Sequence, residues 1–236
     1  NPKRTAEKIG HLAGDVIGWN PMEGPPPPDS FDGVDCVFHL AGESVAEGRW
    51  TTAQKATIRD SRILGTKNLV SGILQNKTGI KTLVSSSAVG YYGDRGEEDL
   101  TESSPPGNDF LADVCIDWER EADIAREQGV RVVTMRTGIV LGAGGGALAK
   151  MLTPFRLGAG GPLGNGRQWM PWVHVADLAR LYIHANETSS INGPMNAVAP
   201  NPVRNSEFTK ALAAQLKRPA FMPAPYIGLR LVFGEF

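Results

Sequence analysis

The sequence predicts an α/β protein built on a parallel sheet, and three observations predict it. VDCVFHLAG (34–42), KTLVSSSAVGYYG (81–93) and RVVTMRTGIVLG (131–142) are short apolar runs that read as buried strands. Between them lie longer segments with apolar residues at helical spacing. Strand and helix alternate along the chain, which asks for βαβ units in one sheet. The 236 residues suffice for one substantial core with a smaller portion beside it.

Each element has its own signal. PPPP at 25–28 reads as a short polyproline connector, or as a ligand motif for another protein. The run 34–42 ends in a small-residue turn. The segment 51–76 places Ile58, Leu69, Val70, Ile73 and Leu74 at helical spacing. The run 81–93 is a short strand leading into a hydroxyl-rich loop, and an acidic, proline-containing loop covers 94–109. FLADVCIDWEREADIAREQG (110–129) is a helix closed by Gly129. The run 131–142 reads as one strand, followed by a Gly-rich loop and a helix. His174 opens the helix in PWVHVADLARLYIHANE (171–187), and PMNAVA (194–199) is a strand. SEFTKALAAQL (206–216) is a helix with Ser206 or Asn205 at its start.

Composition removes several classes of function. Net charge is −1 with no concentrated basic stretch, so the electrostatic footprint of a nucleic-acid binder is missing. No run of about 18 apolar residues is present to span a membrane. Cys36 and Cys115 make no disulfide framework and point to the cytoplasm or another reducing compartment. His39 and His174 lack metal-ligand spacing, so core and capping roles are expected for them and no metal site is predicted.

GIVLGAGGGALAK (138–150) poses a specific question, because Gly142–Ala147 satisfies the G-x-G-x-x-(G/A) pattern of dinucleotide cradles. In such folds the turn joins the first strand to the first helix, and an acid about 20 residues later holds the ribose. Here several βα units come first, and the next carboxylate is Asp177. The loop is therefore expected to be a tight turn beside the cleft.

HLAGE (39–43), SRILGT (61–66), SSSAVGYYG (85–93), VVTMRTGIVLG (132–142) and WVHVADLA (172–179) resemble, in content and order, the extended short-chain dehydrogenases/reductases. With RWT (49–51), DWE (117–119) and FRLGAGGPLGNG (155–166), the chain is more closely similar to the atypical epimerase-family branch labelled cell-division-inhibitor-like or sugar-nucleotide-epimerase-like. The resemblance implies a Rossmann-like, doubly wound, mostly parallel sheet with a small C-terminal substrate-side portion. Residues 1–142 would form the dinucleotide-binding part, and 143–236 a substrate-side part interleaved with the last sheet elements. Such proteins begin with a strand, a GGxGxxG turn, a helix and a second strand. NPKRTAEK (1–8) resembles the loop after that second strand, so the phosphate cradle is expected upstream of Asn1. LVFGEF (231–236) resembles the start of a further helical segment. Lys3 and Arg4 incline the cofactor toward NADP rather than NAD.

Ordinary members of that superfamily use a Tyr-x-x-x-Lys pair and an upstream serine. Alignment on Glu119 puts Leu111 at the tyrosine position and Cys115 at the lysine position. A leucine exchanges no proton, and a thiol with pKa about 8.5 is no fixed cation. Ser87 matches the serine, its other reading being a cap on the strand-end turn. Tyr91 or Tyr92 is a substitute acid or a packing residue. Cys115 is a nucleophile only with a positive neighbour, and otherwise a small buried helix residue. Arg62 stands where relatives carry asparagine. It could pair with Glu43, bind a substrate anion, or brace its helix through a salt bridge.

By resemblance, Leu40, Ala41 and Gly42 form a small-residue turn against the adenosine-ribose side, and Glu43, Ser85, Ser86 and Arg62 are further cofactor-binding residues, Arg62 near the nicotinamide end. Thr137, Gly138 and Val140 line the nicotinamide end, with Ile139 replacing the asparagine of sugar epimerases. Phe155, Trp169, Met170 and Trp172 form the wall of the substrate cleft. The expected function is an NADP-dependent oxidoreductase or epimerase-like enzyme acting on an unknown small molecule. The alternative is a non-catalytic cofactor-binding sensor or interaction protein. The helices at 51–76 and 110–128 suggest a homodimer, unless Trp50 and Trp118 are internal.

Overall fold

The computed structural model describes residues 14–45, 48–76 and 79–221, together with Thr5 and Glu7. Lys3, Arg4 and the 231–236 segment lie outside the described residues. The strands are β1 (Cys36–His39), β2 (Thr82–Ala88), β3 (Arg131–Thr137), β4 (Ile139–Gly142), β5 (Trp169–Met170), β6 (Trp172–His174), β7 (Gly193–Ala197) and β8 (Val203–Arg204). The helices are α1 (Thr52–Gln75), α2 (Phe110–Asp123), α3 (Gly146–Arg156), α4 (Val175–Glu187) and α5 (Asn205–Leu216).

The central sheet has the order β1-β2-β3-β7, with every pairing parallel. Both its faces are covered. Leu83 and Val132 pack with Leu69, Val70 and Ile73 of α1 and Ala122 of α2 on one side. Val84, Val133 and Met135 pack with Tyr182 and Ala185 of α4 on the other. Successive strand residues alternate between these layers, so a strand buried twice reads as an unbroken apolar run. That is why VVTM was legible as a strand.

α1 starts where Thr51 accepts a hydrogen bond from the Gln54 N–H. The proline connector turns inward, with Pro26 buried against this helix. A Cβ on Gly72 would stand 2.9 Å from the Pro26 ring, so this close approach requires a glycine. α2 gives way at Asp123 to a 3₁₀ turn, and Gly129 ends it with φ of 78°, the left-handed closure expected of it. Among the described residues no helix is long and apolar enough to cross a membrane.

Three local expectations need correction. Ser85–Ser87 lie within β2 rather than in a loop, and a 3₁₀ turn over Val89–Tyr92 follows the strand. At α5 the cap position falls one residue earlier than expected, on Arg204, whose N–H donates to Glu207 Oε2 at 2.7 Å. Asn205 is instead buried, accepting the Leu163 N–H at 2.8 Å.

The third correction is the largest. The run 131–142 is two strands in two sheets. β3 stays in the central sheet, while β4 leaves it to pair in parallel with β6. The switch occurs at Gly138, where a Cβ would stand 2.4 Å from the Pro171 carbonyl oxygen and 2.9 Å from Val198 Cγ1. The Ile139 N–H donates to that same carbonyl at 2.7 Å. Apolar patterning continues through the glycine, so periodicity alone does not show the break. Gly138→Ala is expected to lower unfolding stability by about 1–3 kcal/mol, the range for overpacking a filled site. An unchanged urea midpoint would show that this junction yields without cost.

Candidate functional site

Parallel pairing brings the carboxyl ends of β1, β2, β3 and β7 to one edge of the sheet. Ligands of open α/β sheets bind outside that edge. Residues 40–43 follow β1, the 89–92 turn follows β2, and 137–140 carry the chain from β3 into β4.

The chemistry under this edge comes from register. Ser87 stands opposite Arg136, and Arg136 opposite Asn196, across β2, β3 and β7. The Ser87 hydroxyl donates to Glu119 Oε1 of α2 at 2.6 Å. Arg136 grips the same carboxylate with both prongs, Nε to Oε1 at 2.9 Å and Nη2 to Oε2 at 2.8 Å. Its Nη1 donates to Tyr92 Oη at 3.1 Å and to the Glu102 carbonyl at 3.0 Å. Tyr92 donates onward to Asn196 Oδ1 at 2.6 Å. The Tyr91 ring lies with its centroid 3.4 Å from the Arg136 guanidinium carbon. The side chains of Arg136 and Glu119 are 4% and 12% exposed. Burial alone opposes the arginine's charge, but the bonds to Glu119 and Tyr92 outweigh it and raise its pKa above the ordinary value.

Sequence reasoning missed this network. Its signal was an arginine inside an apolar strand, VVTMRTG, because a charge at such a position must find a partner.

Ser87 therefore neither caps the strand-end turn nor stands unengaged. Tyr91 has the cationic neighbour that the sequence did not show, and Tyr92 is a buried member of the network. Cys115 is corrected as a nucleophile. Burial pushes its thiol up to about 11, and it donates weakly to the Ala88 carbonyl at 3.8 Å. At neutral pH it is a protonated core residue. Leu111 packs beside Gly90, where an added Cβ would meet the leucine Cβ at 3.3 Å.

The strand-end residues divide. Leu40 is 64% exposed, Ala41 and Gly42 are exposed, and the Glu43 N–H donates to Ser61 Oγ at 3.0 Å. Arg62 reaches the same loop from α1, donating through Nη1 to the Ile58 carbonyl at 3.0 Å. Its guanidinium carbon lies 5.1 Å from the Trp118 ring centroid and 3.3 Å from where a Gly42 Cβ would be. Among the described residues no carboxylate stands within ion-pairing distance of Arg62, and Glu43 acts on its charge from farther away. Ser85 is fully buried, and its hydroxyl donates to the Ser86 carbonyl at 3.4 Å. Ser86 shares a 2.6 Å hydrogen bond with Tyr182 Oη. Thr137 donates to the Met135 carbonyl at 3.1 Å, and Val140 is half-buried in β4.

Of the expected cleft wall, Trp169 is 42% exposed under the Arg204 guanidinium and Trp172 is half-buried. Met170 and Phe155 are buried, so both belong to the interior instead. His39 bonds Thr66 Oγ1 at 2.8 Å inside the core, and His174 Nδ1 accepts the Ala176 N–H at 3.3 Å as a helix cap. Among the described residues no cluster of ligating side chains could hold a metal ion. The 142–147 loop folds into a tight hairpin through bridges from Leu141 to Gly146 and from Gly142 to Gly145. It follows a strand of the small ribbon, outside the central sheet.

A parallel sheet covered on both faces, with a polar network beneath its carboxyl edge, defines a Rossmann-like α/β protein. The chain belongs to the NAD dependent epimerase/dehydratase family, whose model matches residues 29–197. It is 40% identical over 220 residues to the epimerase family protein Mb2239 of Mycobacterium bovis, covering 93% of this chain and 72% of that one. Among solved structures, it is similar to the human epimerase family protein SDR39U1 (isoform 2) with NADPH. The TM-score there is 0.82 at 36% identity, covering 91% of this chain and 72% of the human one. The nucleoside-diphosphate sugar epimerase of Corynebacterium glutamicum matches with a TM-score of 0.72 at 40% identity, over 91% of this chain and 45% of that one.

Proposed function

We propose that the chain binds NADP(H) across the carboxyl ends of β1–β3 and serves as an oxidoreductase or epimerase-like protein for a small molecule, without the Tyr-x-x-x-Lys pair. The observation that carries this reading is the likeness to the NADPH-bound human relative over 91% of the chain. The local chemistry fits a cofactor. Leu40, a large apolar side chain left 64% exposed at a strand end beside Ala41 and Gly42, offers a surface for a flat and partly apolar ligand. In this reading Leu40, Ala41, Gly42 and Glu43 hold the adenosine-ribose side, while Thr137, Gly138 and Val140 border the nicotinamide. The bound nicotinamide would supply hydride transfer.

The chain's own residues orient and protonate. Ser87 donates its hydroxyl hydrogen bond to Glu119, so its oxygen lone pairs are left to accept a hydrogen bond from a substrate hydroxyl. Tyr91, held over Arg136, is the acid assigned to the same end. Trp50 and Trp118 are both buried within the chain, the alternative under which the suggestion of a homodimer across α1 and α2 loses its support.

Titration of the full chain with NADPH and NADH tests the reading, followed by a carbonyl-substrate panel watched at the reduced-nicotinamide absorbance. NADPH is expected to bind more tightly than NADH, and Ser87→Ala to reduce turnover on the order of 10²-fold through lost orientation. Failure of either cofactor to bind would sink it. A second reading, a cofactor-binding sensor without catalysis, is favoured by Leu111 and the protonated Cys115. Tight cofactor binding with no turnover across the panel selects it.

A further inference from the structure

Arg62 stands apart from the other arginines drawn into this fold. Arg131 spends its guanidinium on the carbonyls of Ala185, Asn186 and Ile191. Arg136 spends its own on Glu119, Tyr92 and the Glu102 carbonyl. Arg62 has five N–H donors and, among the described residues, bonds only the Ile58 carbonyl of its own helix. It is half-buried, and burial lowers its pKa below the ordinary value. The Glu43 carboxylate acts favourably on this charge but stands outside ion-pairing distance, so burial still prevails, and an anion in direct contact relieves more of its cost.

The position of this charge adds the rest of the argument. At the position that the resemblance gives to the superfamily's lysine, this chain has Cys115, which is neutral at neutral pH. Arg62 and Cys115 lie close enough to influence each other's ionisation, and Cys115 adjoins Ser87 and the Ala88 carbonyl. A fixed positive charge is thus present at this end of the cleft, supplied from α1 instead of α2. The Trp118 ring flanks its guanidinium and Gly42 leaves the approach open, since a Cβ there would press on the guanidinium carbon at 3.3 Å.

We infer that Arg62, flanked by Trp118 and Gly42, binds an oxyanion of the substrate, a carboxylate or phosphate group. A guanidinium fork matches either group bidentately. The inference rests on the cofactor reading above for what occupies the neighbouring strand ends.

The test titrates oxalate, and separately inorganic phosphate, into the full chain saturated with NADP, so that the cofactor's own phosphate sites are filled. Arg62→Gln is expected to weaken anion binding about tenfold or more, the effect of losing a charged hydrogen bond. Arg62→Lys, which keeps the charge but loses the fork, should fall between. The dissociation constant for NADP should stay within about twofold of the parent in both variants if the guanidinium serves the substrate alone. Equal anion binding by the parent and Arg62→Gln overturns the inference, as does absence of anion binding by the parent. Parallel weakening of NADP also overturns it, because the charge would then serve the cofactor's phosphates. If Arg62→Gln does not fold, the Arg62→Lys comparison decides alone. If the parent binds no NADP, the cofactor reading falls, while the same titration on the cofactor-free chain still judges Arg62.

Discussion

Glu119→Ala is expected to cost about 3–5 kcal/mol of unfolding stability, because it leaves a buried arginine without its counter-charge. The Arg136 side chain is 4% exposed and cannot turn to solvent without opening the sheet. Its fork spans both Glu119 oxygens at 2.8–2.9 Å, so the alanine strands two charge-assisted donors at once. The Ser87 hydroxyl loses its acceptor in the same step. Glu119→Gln should recover part of the loss, since an amide oxygen still accepts one bond. The double replacement Glu119→Leu with Arg136→Met should be much milder than either single change, because apolar pairs often substitute for buried ion pairs at little cost. Urea unfolding with an unchanged slope measures the parent and each of these variants. A loss below about 1 kcal/mol for Glu119→Ala would place this pair in the class of solvent-screened surface bridges.

His39 should make the fold acid-sensitive in a defined window. Desolvation lowers its pKa from 6.5 to about 4, and the ring is 3% exposed beside Thr66. Above pH 6.5 both folded and unfolded chains hold it neutral, and its titration costs nothing. As pH falls from 6.5 toward 4, the unfolded chain takes up a proton that the folded chain refuses, so stability declines with falling pH. The full loss is on the order of 3 kcal/mol, and below about pH 4 both states are charged and the decline stops. His39→Gln removes the titration while retaining groups able to meet Thr66. The stability difference between parent and variant should therefore shift in the variant's favour between pH 6.5 and 4. A parent and variant whose unfolding free energies run parallel across that range would show that His39 titrates normally.

The legibility of the molecule follows how far each cause reaches along the chain. Strands buried on both faces wrote continuous apolar runs, and helices wrote apolar residues at a period of 3.6, so the α/β alternation could be read directly. Gly129 could be read as a cap because a left-handed helix end favours glycine locally. The break at Gly138 could not, because its cause is the Pro171 carbonyl, 33 positions away and brought near only by the fold. The site shows the same contrast. Ser87 and the losses at Leu111 and Cys115 could be placed by resemblance, since each is a residue type at a position. The thiol's inertness, the Tyr91 stack and the grip of Arg136 on Glu119 are properties of neighbours.

The amino-acid order by itself determined the alternating strands and helices and their apolar faces. Those are consequences of periodicity and residue identity. Only the tertiary structure decided which charges face one another, that Cys115 stays protonated and that Arg62 forms no ion pair among the described residues. Burial and electrostatic pairing act through space over a few ångströms, and the chain must fold before residues far apart in sequence come within that distance.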